Sequence, residues 1–140
     1  MVDHNIHWVG AKKLLRYLWG TIDHVLRYTV GSLRLRVYVD ADWAGSVVDR
    51  KSTYGCCFTL GFASGRKQKS VALSTAEAEY IATCMACCEA TWLRKLFSDL
   101  FGHVLDTTII LCDNQRGIFL SKNLMFHDRS KHIDIWYHFI

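Results

Sequence analysis

A chain of 140 residues, 51% of them hydrophobic, can hold one domain with a modest core and is too apolar for a disordered segment. No apolar run nears the roughly 20 residues that span a membrane, and MVDHNIHWVG lacks the basic start and apolar core of a signal peptide, so an intracellular site, cytoplasmic or nuclear, is expected. A net charge of +4 and a pI near 8.8 permit a polyanionic partner without requiring one.

Residues 8–19, WVGAKKLLRYLW, put Val9, Leu14, Leu15 and Leu18 at helical spacing, with Lys12, Lys13 and Arg16 on the other side and Gly20 as a stop. VLRYTV (25–30) and LRLRVYVD (33–40) flank Gly31-Ser32 and read as a hairpin. In the second arm Leu33, Leu35, Val37 and Val39 alternate with Arg34, Arg36 and Tyr38. After a polar loop, YGCCFTLGF (54–62) is a third strand and GRKQKSVALS (65–74) a fourth. A long helix is predicted from Thr75 to about Leu100, with Ile81, Met85, Cys88, Trp92, Leu93 and Leu96 as its apolar stripe. TTIILC (107–112) is a short strand expected to be well buried, and GIFLSKNL and HIDIWYHFI are two further helical patches. This order predicts an α/β domain, a mixed sheet with flanking helices. The cysteines, Cys56, Cys57, Cys84, Cys87, Cys88 and Cys112, read as buried free thiols of a reducing compartment. Cys84 and Cys87 have CxxC spacing but lie inside the predicted helix.

Three acidic residues fall at element ends. Asp40 closes the best strand, Glu79 lies in the first turns of the long helix, and Asp113 follows TTIILC. Such carboxylates can converge on one sheet edge, where they repel one another unless protonated or bridged by cations. Hard oxygen ligands of this kind suit magnesium or manganese, and a pair of such ions about 4 Å apart serves phosphodiester chemistry. Each residue also has a plain structural reading: a turn former, a helix cap or a complement to the helix dipole. Glu77 and Glu79 are turned about 200° apart on a helix, so they cannot both face one site. Ser74 and Glu77 form an S-x-x-E capping box, which assigns Glu77 to structure. Asp42 reads as a turn or supporting residue.

YVDADWAG, DRKSTYG, RKQKSVALSTAEAEYIA, ILCDNQ and RSKHIDIWYHFI, in this order and at these spacings, resemble the ribonuclease H domain of copia-type LTR retrotransposon Pol polyproteins. The resemblance runs from about Asn5 to the end, and HWVGAKKLLRYLWGTID is similar to the family's segment joining the polymerase part to this domain. It implies a helical linker over 1–31 and a partial ribonuclease H-like domain over 32–140. The implied activity is hydrolysis of the RNA strand of an RNA–DNA hybrid. Asp40, Glu79 and Asp113 match the family's catalytic, metal-binding carboxylates, and two Mg²⁺ ions are implied, with Mn²⁺ as an alternative. The implied partners are the hybrid and the polymerase domain of the parent polyprotein, with no membrane. Lys51, Arg66, Lys67, Lys69 and Lys131 are candidates for holding hybrid phosphates, against the plain reading of solvated surface. Asn114 and Gln115 are candidates for substrate contact, with helix capping and surface exposure competing on equal terms.

Two departures from the family pattern bear on these expectations. LGFASGRKQ runs straight through where the family carries a longer strand, so the third core strand is expected to be short or badly paired. The chain ends at YHFI, before the family's last strand and the helix with a fourth aspartate, so the domain is expected to be C-terminally incomplete, a fragment of a polyprotein. Asp134 matches a different family position and does not replace that aspartate. A remnant that binds nucleic acid without cutting it, or is inert, is the alternative; a domesticated interaction module is a third reading.

Overall fold

The computed structural model describes residues 4–25 and 34–122. The first hairpin arm falls largely outside these residues, and HIDIWYHFI, Lys131 and Asp134 lie wholly outside them. Helix α1 (His4–Gly20) forms where the periodicity predicts it and stops at Gly20, yet Val9, Leu14, Leu15 and Leu18 are all more than half exposed.

Strands β1 (Arg36–Asp42), β2 (Thr53–Phe58) and β3 (Ala63–Lys67) form an antiparallel meander. Helix α2 (Thr75–Phe101) then crosses the sheet, and β4 (Ile109–Cys112) pairs parallel to β1, giving the order β3-β2-β1-β4. Helix α3 (Gln115–Lys122) follows. The result is a mixed α/β domain consistent with a ribonuclease H-like fold. β3 is short, as expected, but it is not badly paired: five consecutive residues pair with β2, from Ala63 opposite Cys57 to Lys67 opposite Thr53. A tight turn makes this possible. Gly61 takes a positive φ of 86°, and the Phe58 amide donates to the Phe62 carbonyl at 2.7 Å.

The alternation in β1 sends Val37 and Val39 into the core, where they meet Tyr54, Cys56 and Phe58 from β2. The helix face against them is made of small residues. Ala82, Ala86 and Ala90 recur every four positions, which lets α2 approach the sheet closely. The predicted stripe is therefore partly wrong: Cys88 is exposed and Trp92 is 57% exposed, both on the solvent side of α2. β4 corrects another expectation. As an outer strand of the described sheet it buries one face only, leaving Ile109 44% and Leu111 39% exposed while Ile110 packs on the core.

A carboxylate sits between helix and sheet. Glu89 of α2 accepts hydrogen bonds from the Tyr54 hydroxyl (3.1 Å), the Ser64 hydroxyl (3.1 Å) and the Cys56 thiol (3.2 Å). Burial, reinforced by the Glu89 charge, pushes the Tyr54 hydroxyl up from 10.0 to about 12. Burial, with the hydrogen bond to Glu89, likewise pushes the Cys56 thiol up from 9.0 to about 12. Both groups hold their protons more tightly folded than unfolded, so their stabilisation is complete below pH 9 and is lost as pH rises through 9 to 12. Urea midpoints are expected to fall steadily from pH 8.5 to 11.5 in the wild-type chain and less steeply in Tyr54→Phe, and equal slopes would count against this cluster.

Candidate metal centre

Parallel pairing of β1 and β4 ends both strands at one edge of the sheet. Val39 is opposite Cys112, so Asp40 and Asp113 are the next residues on neighbouring strands. Both carboxylates are exposed. Glu79 arrives from the other layer. It is the fifth residue of α2, is only 5% exposed, and accepts the Ala41 amide proton through Oε1 at 3.3 Å. Its Oε2 faces the Cys112 thiol at 3.7 Å. Donor atoms from Glu79, Cys112 and Asp113 all lie within 4.8 Å of one another. Asp40 is outside that set, but it stands close enough for its charge to act on Glu79.

Burial raises the Glu79 carboxyl above its ordinary value; the Ala41 amide opposes this, and the charges of Asp40 and then Asp113 add to it. A buried carboxylate with two other acidic charges close by is the arrangement a divalent cation relieves. The carboxylates of Glu79 and Asp113, with the charge of Asp40 close by, are the donors of this group that suit a hard divalent ion.

The supports of the site are local. Ser74 caps α2, its Oγ accepting from the Glu77 amide at 3.2 Å, and Glu77 reaches back to accept from the Leu73 amide at 2.7 Å. This is one residue earlier than the Ser74 amide that a standard capping box uses. Asn114 caps α3 just behind Asp113, its Oδ1 accepting from the Arg116 amide (3.0 Å) and the Gly117 amide (2.9 Å). Gln115 is exposed on the first turn of that helix. Asp42 ends β1 with its carboxylate folded over Gly45, where any side chain would collide with it. Trp43 donates to the Ala72 carbonyl at 3.0 Å and ties the loop after β1 to the one before α2.

Two site residues escaped the sequence reading. Cys112 passed for a buried small residue because its neighbour Asp113 drew attention. Gly117 is buried where α3 crosses α2, and a Cβ there would lie 3.1 Å from the Glu79 Cβ. Glycine to alanine inside a helix ordinarily stabilises by about 0.5–1 kcal/mol. Gly117→Ala is expected instead to give no gain in melting temperature and to displace Glu79; a rise of several degrees would contradict the close contact.

The basic candidates do not converge equally. Residues across the sheet align in rows: Asp40, Gly55 and Gly65 in one, Asp42, Thr53 and Lys67 in the next on the same face. Lys67 is tied to Asp49 at 3.2 Å and to the Ser46 hydroxyl at 3.0 Å. Arg66 is exposed on β3 two strands from Ala41, about 10 Å away by strand spacing. Lys69 is exposed beyond the end of β3, and Lys51 is half-buried before β2. The glycine row leaves the sheet face beside Asp40 bare, in a shallow depression of about 500 Å³. No helix among the described residues is long and apolar enough to cross a membrane.

A four-stranded mixed sheet with its helices packed on it defines an α/β domain consistent with a ribonuclease H-like fold. Its relatives include the Pol polyproteins of retrotransposons. It is similar to the retrovirus-related Pol polyprotein from transposon TNT 1-94 of Nicotiana tabacum, 44% identical over 138 residues, 96% of this chain and 10% of that protein. The Pol polyprotein from transposon RE2 of Arabidopsis thaliana is 41% identical over 139 residues, with the same shares. The secreted RxLR effector protein 161 of Plasmopara viticola is 48% identical over 92 residues, 62% of this chain and 65% of that protein. The chain thus spans about a tenth of the length of the Pol polyproteins it matches. No protein-family model and no solved structure matches it.

Proposed function

We propose that this chain is the ribonuclease H part of a copia-type retrotransposon Pol polyprotein and hydrolyses the RNA strand of RNA–DNA hybrids with Mg²⁺. The observation that carries this reading is the buried Glu79 carboxylate brought to Asp113 at the edge where Asp40 lies near the end of β1, two residues before Asp42. Asp40, Glu79 and Asp113 would hold the magnesium. Magnesium held there would supply activation of the attacking water and stabilisation of the leaving 3′ oxygen. The chain's own residues supply position. The Ala41 amide fixes one Glu79 oxygen, so the carboxylate stays aimed at the strand ends. The α3 cap at Asn114 holds the bend that presents Asp113. The bare glycine row beside Asp40 gives a nucleic-acid backbone room to approach the sheet, and Lys51, Arg66 and Lys69 at the margins of the sheet would be its phosphate partners. Preference for RNA over DNA would come from contacts to the 2′-hydroxyl. In the parent polyprotein the domain would work beside the polymerase domain.

The test is cleavage of an end-labelled RNA–DNA hybrid by the purified chain with Mg²⁺, beside Asp113→Asn. Products with 5′ phosphate and 3′ hydroxyl ends are expected from the wild type, with a rate reduced more than about 100-fold in the variant, since even residues that merely support metal ligands cost 10–100-fold. Equal rates would sink the proposal. Binding of the hybrid without cleavage by either chain would favour the non-catalytic remnant instead.

A further inference from the structure

Cys112 is the one cysteine whose thiol joins the carboxylate cluster. The Cys112 Sγ and the Glu79 Oε2 are 3.7 Å apart, and the Asp113 carboxylate completes a set lying within 4.8 Å. A thiol has no place in a magnesium site, because Mg²⁺ takes oxygen ligands in an octahedron. Zinc and cadmium behave otherwise. Across a tetrahedral zinc ion, with bonds of about 2.3 Å to sulfur and about 2.0 Å to oxygen, the two ligand atoms stand about 3.5 Å apart. The observed sulfur–oxygen separation is within a few tenths of that. Glu79 is held from behind by the Ala41 amide, and Asp113 is exposed at a bend where its side chain can close the remaining distance.

We propose that Glu79, Cys112 and Asp113 form a thiol–carboxylate site for a thiophilic divalent cation of the zinc and cadmium class, overlapping the magnesium site. Binding replaces the Cys112 S–H bond with a metal–sulfur bond and releases one proton to solvent, with no change of oxidation state. Because Glu79 and Asp113 serve both ions, a thiophilic ion excludes magnesium and acts as an inhibitor. The inhibition rests on the proposed nuclease reading; the binding does not.

The test uses Cd²⁺ on the reduced chain, followed by the ultraviolet sulfur-to-cadmium charge-transfer band and by titration calorimetry. The wild type is expected to give the band at one ion per chain. Cys112→Ser should lose the band and bind about tenfold or more weakly, whereas Asp113→Asn should keep the band with weaker binding. A band that persists unchanged in Cys112→Ser places the ion on other cysteines and overturns the proposal, as does a wild type without a band. Asp113 is exposed, so its variant stays informative if Cys112→Ser fails to fold: an unaltered affinity there also overturns it. Absence of Mg²⁺-dependent hybrid cleavage in the same preparation bears on the nuclease reading alone.

Discussion

Glu79→Gln is expected to abolish hybrid cleavage, by more than about 100-fold, while Glu77→Gln, two residues away, leaves the rate unchanged. Glutamine keeps the oxygen that accepts from Ala41 but removes the charge that would hold the cation. Burial already penalises the charged Glu79, so the metal-free variant should be at least as stable as the wild type at neutral pH. Glu77→Gln has the opposite profile. Its amide oxygen still reaches the Leu73 amide, and only the favourable charge at the helix start is lost, costing about 0.5 kcal/mol. Cleavage rates and urea midpoints on the two variants check both halves. Activity lost in Glu77→Gln and kept in Glu79→Gln would reverse the assignment of the two glutamates.

The largest loss of stability is expected from Glu89→Ala. It strips the acceptor from Tyr54, Cys56 and Ser64 at once, and the first two side chains are only 2% and 4% exposed. Each buried donor left without a partner costs about 1–3 kcal/mol. Water entering the vacated space recovers part of this, for a net loss of about 3 kcal/mol, a large share of a typical domain's 5–15 kcal/mol. Glu89→Gln keeps one acceptor oxygen, so its loss should be smaller. The urea midpoint is the measurement; a Glu89→Ala chain within about 0.5 kcal/mol of wild type, the range of ordinary surface substitutions, would show that the cluster does not hold the helix to the sheet.

The reach of the sequence differs from element to element. β1 was readable because its alternation is local, and the start of α2 because Ser74 and Glu77 carry the cap between them. Asp40, Glu79 and Asp113 were readable as candidates for the same reason: each has a distinctive context near the end of an element, although β1 runs on two residues past Asp40 to Asp42. Glu89 was not, since its three donors come from strands whose partnership depends on register, Cys56 opposite Ser64. Nor was the sheet-facing side of α2. A search for large apolar residues picks Trp92 and misses Ala82, Ala86 and Ala90, whose smallness is what lets the layers touch. β4 looked buried because IILC is apolar throughout; that one face stays open follows from its place at the margin of the described sheet, which no local pattern records.

The length of α2 has a practical use. Its 27 residues extend about 40 Å, whereas the longest strand, β1, has seven residues and spans about 24 Å. The helix therefore outruns the sheet it rests on, and Leu100 and Phe101 are 65% and 62% exposed at its far end. From Glu79 to Phe101 the axis runs about 33 Å. A fluorophore on that outer turn would sit at a fixed offset from the carboxylates without touching them, so the helix is a built-in ruler for locating where a bound duplex lies.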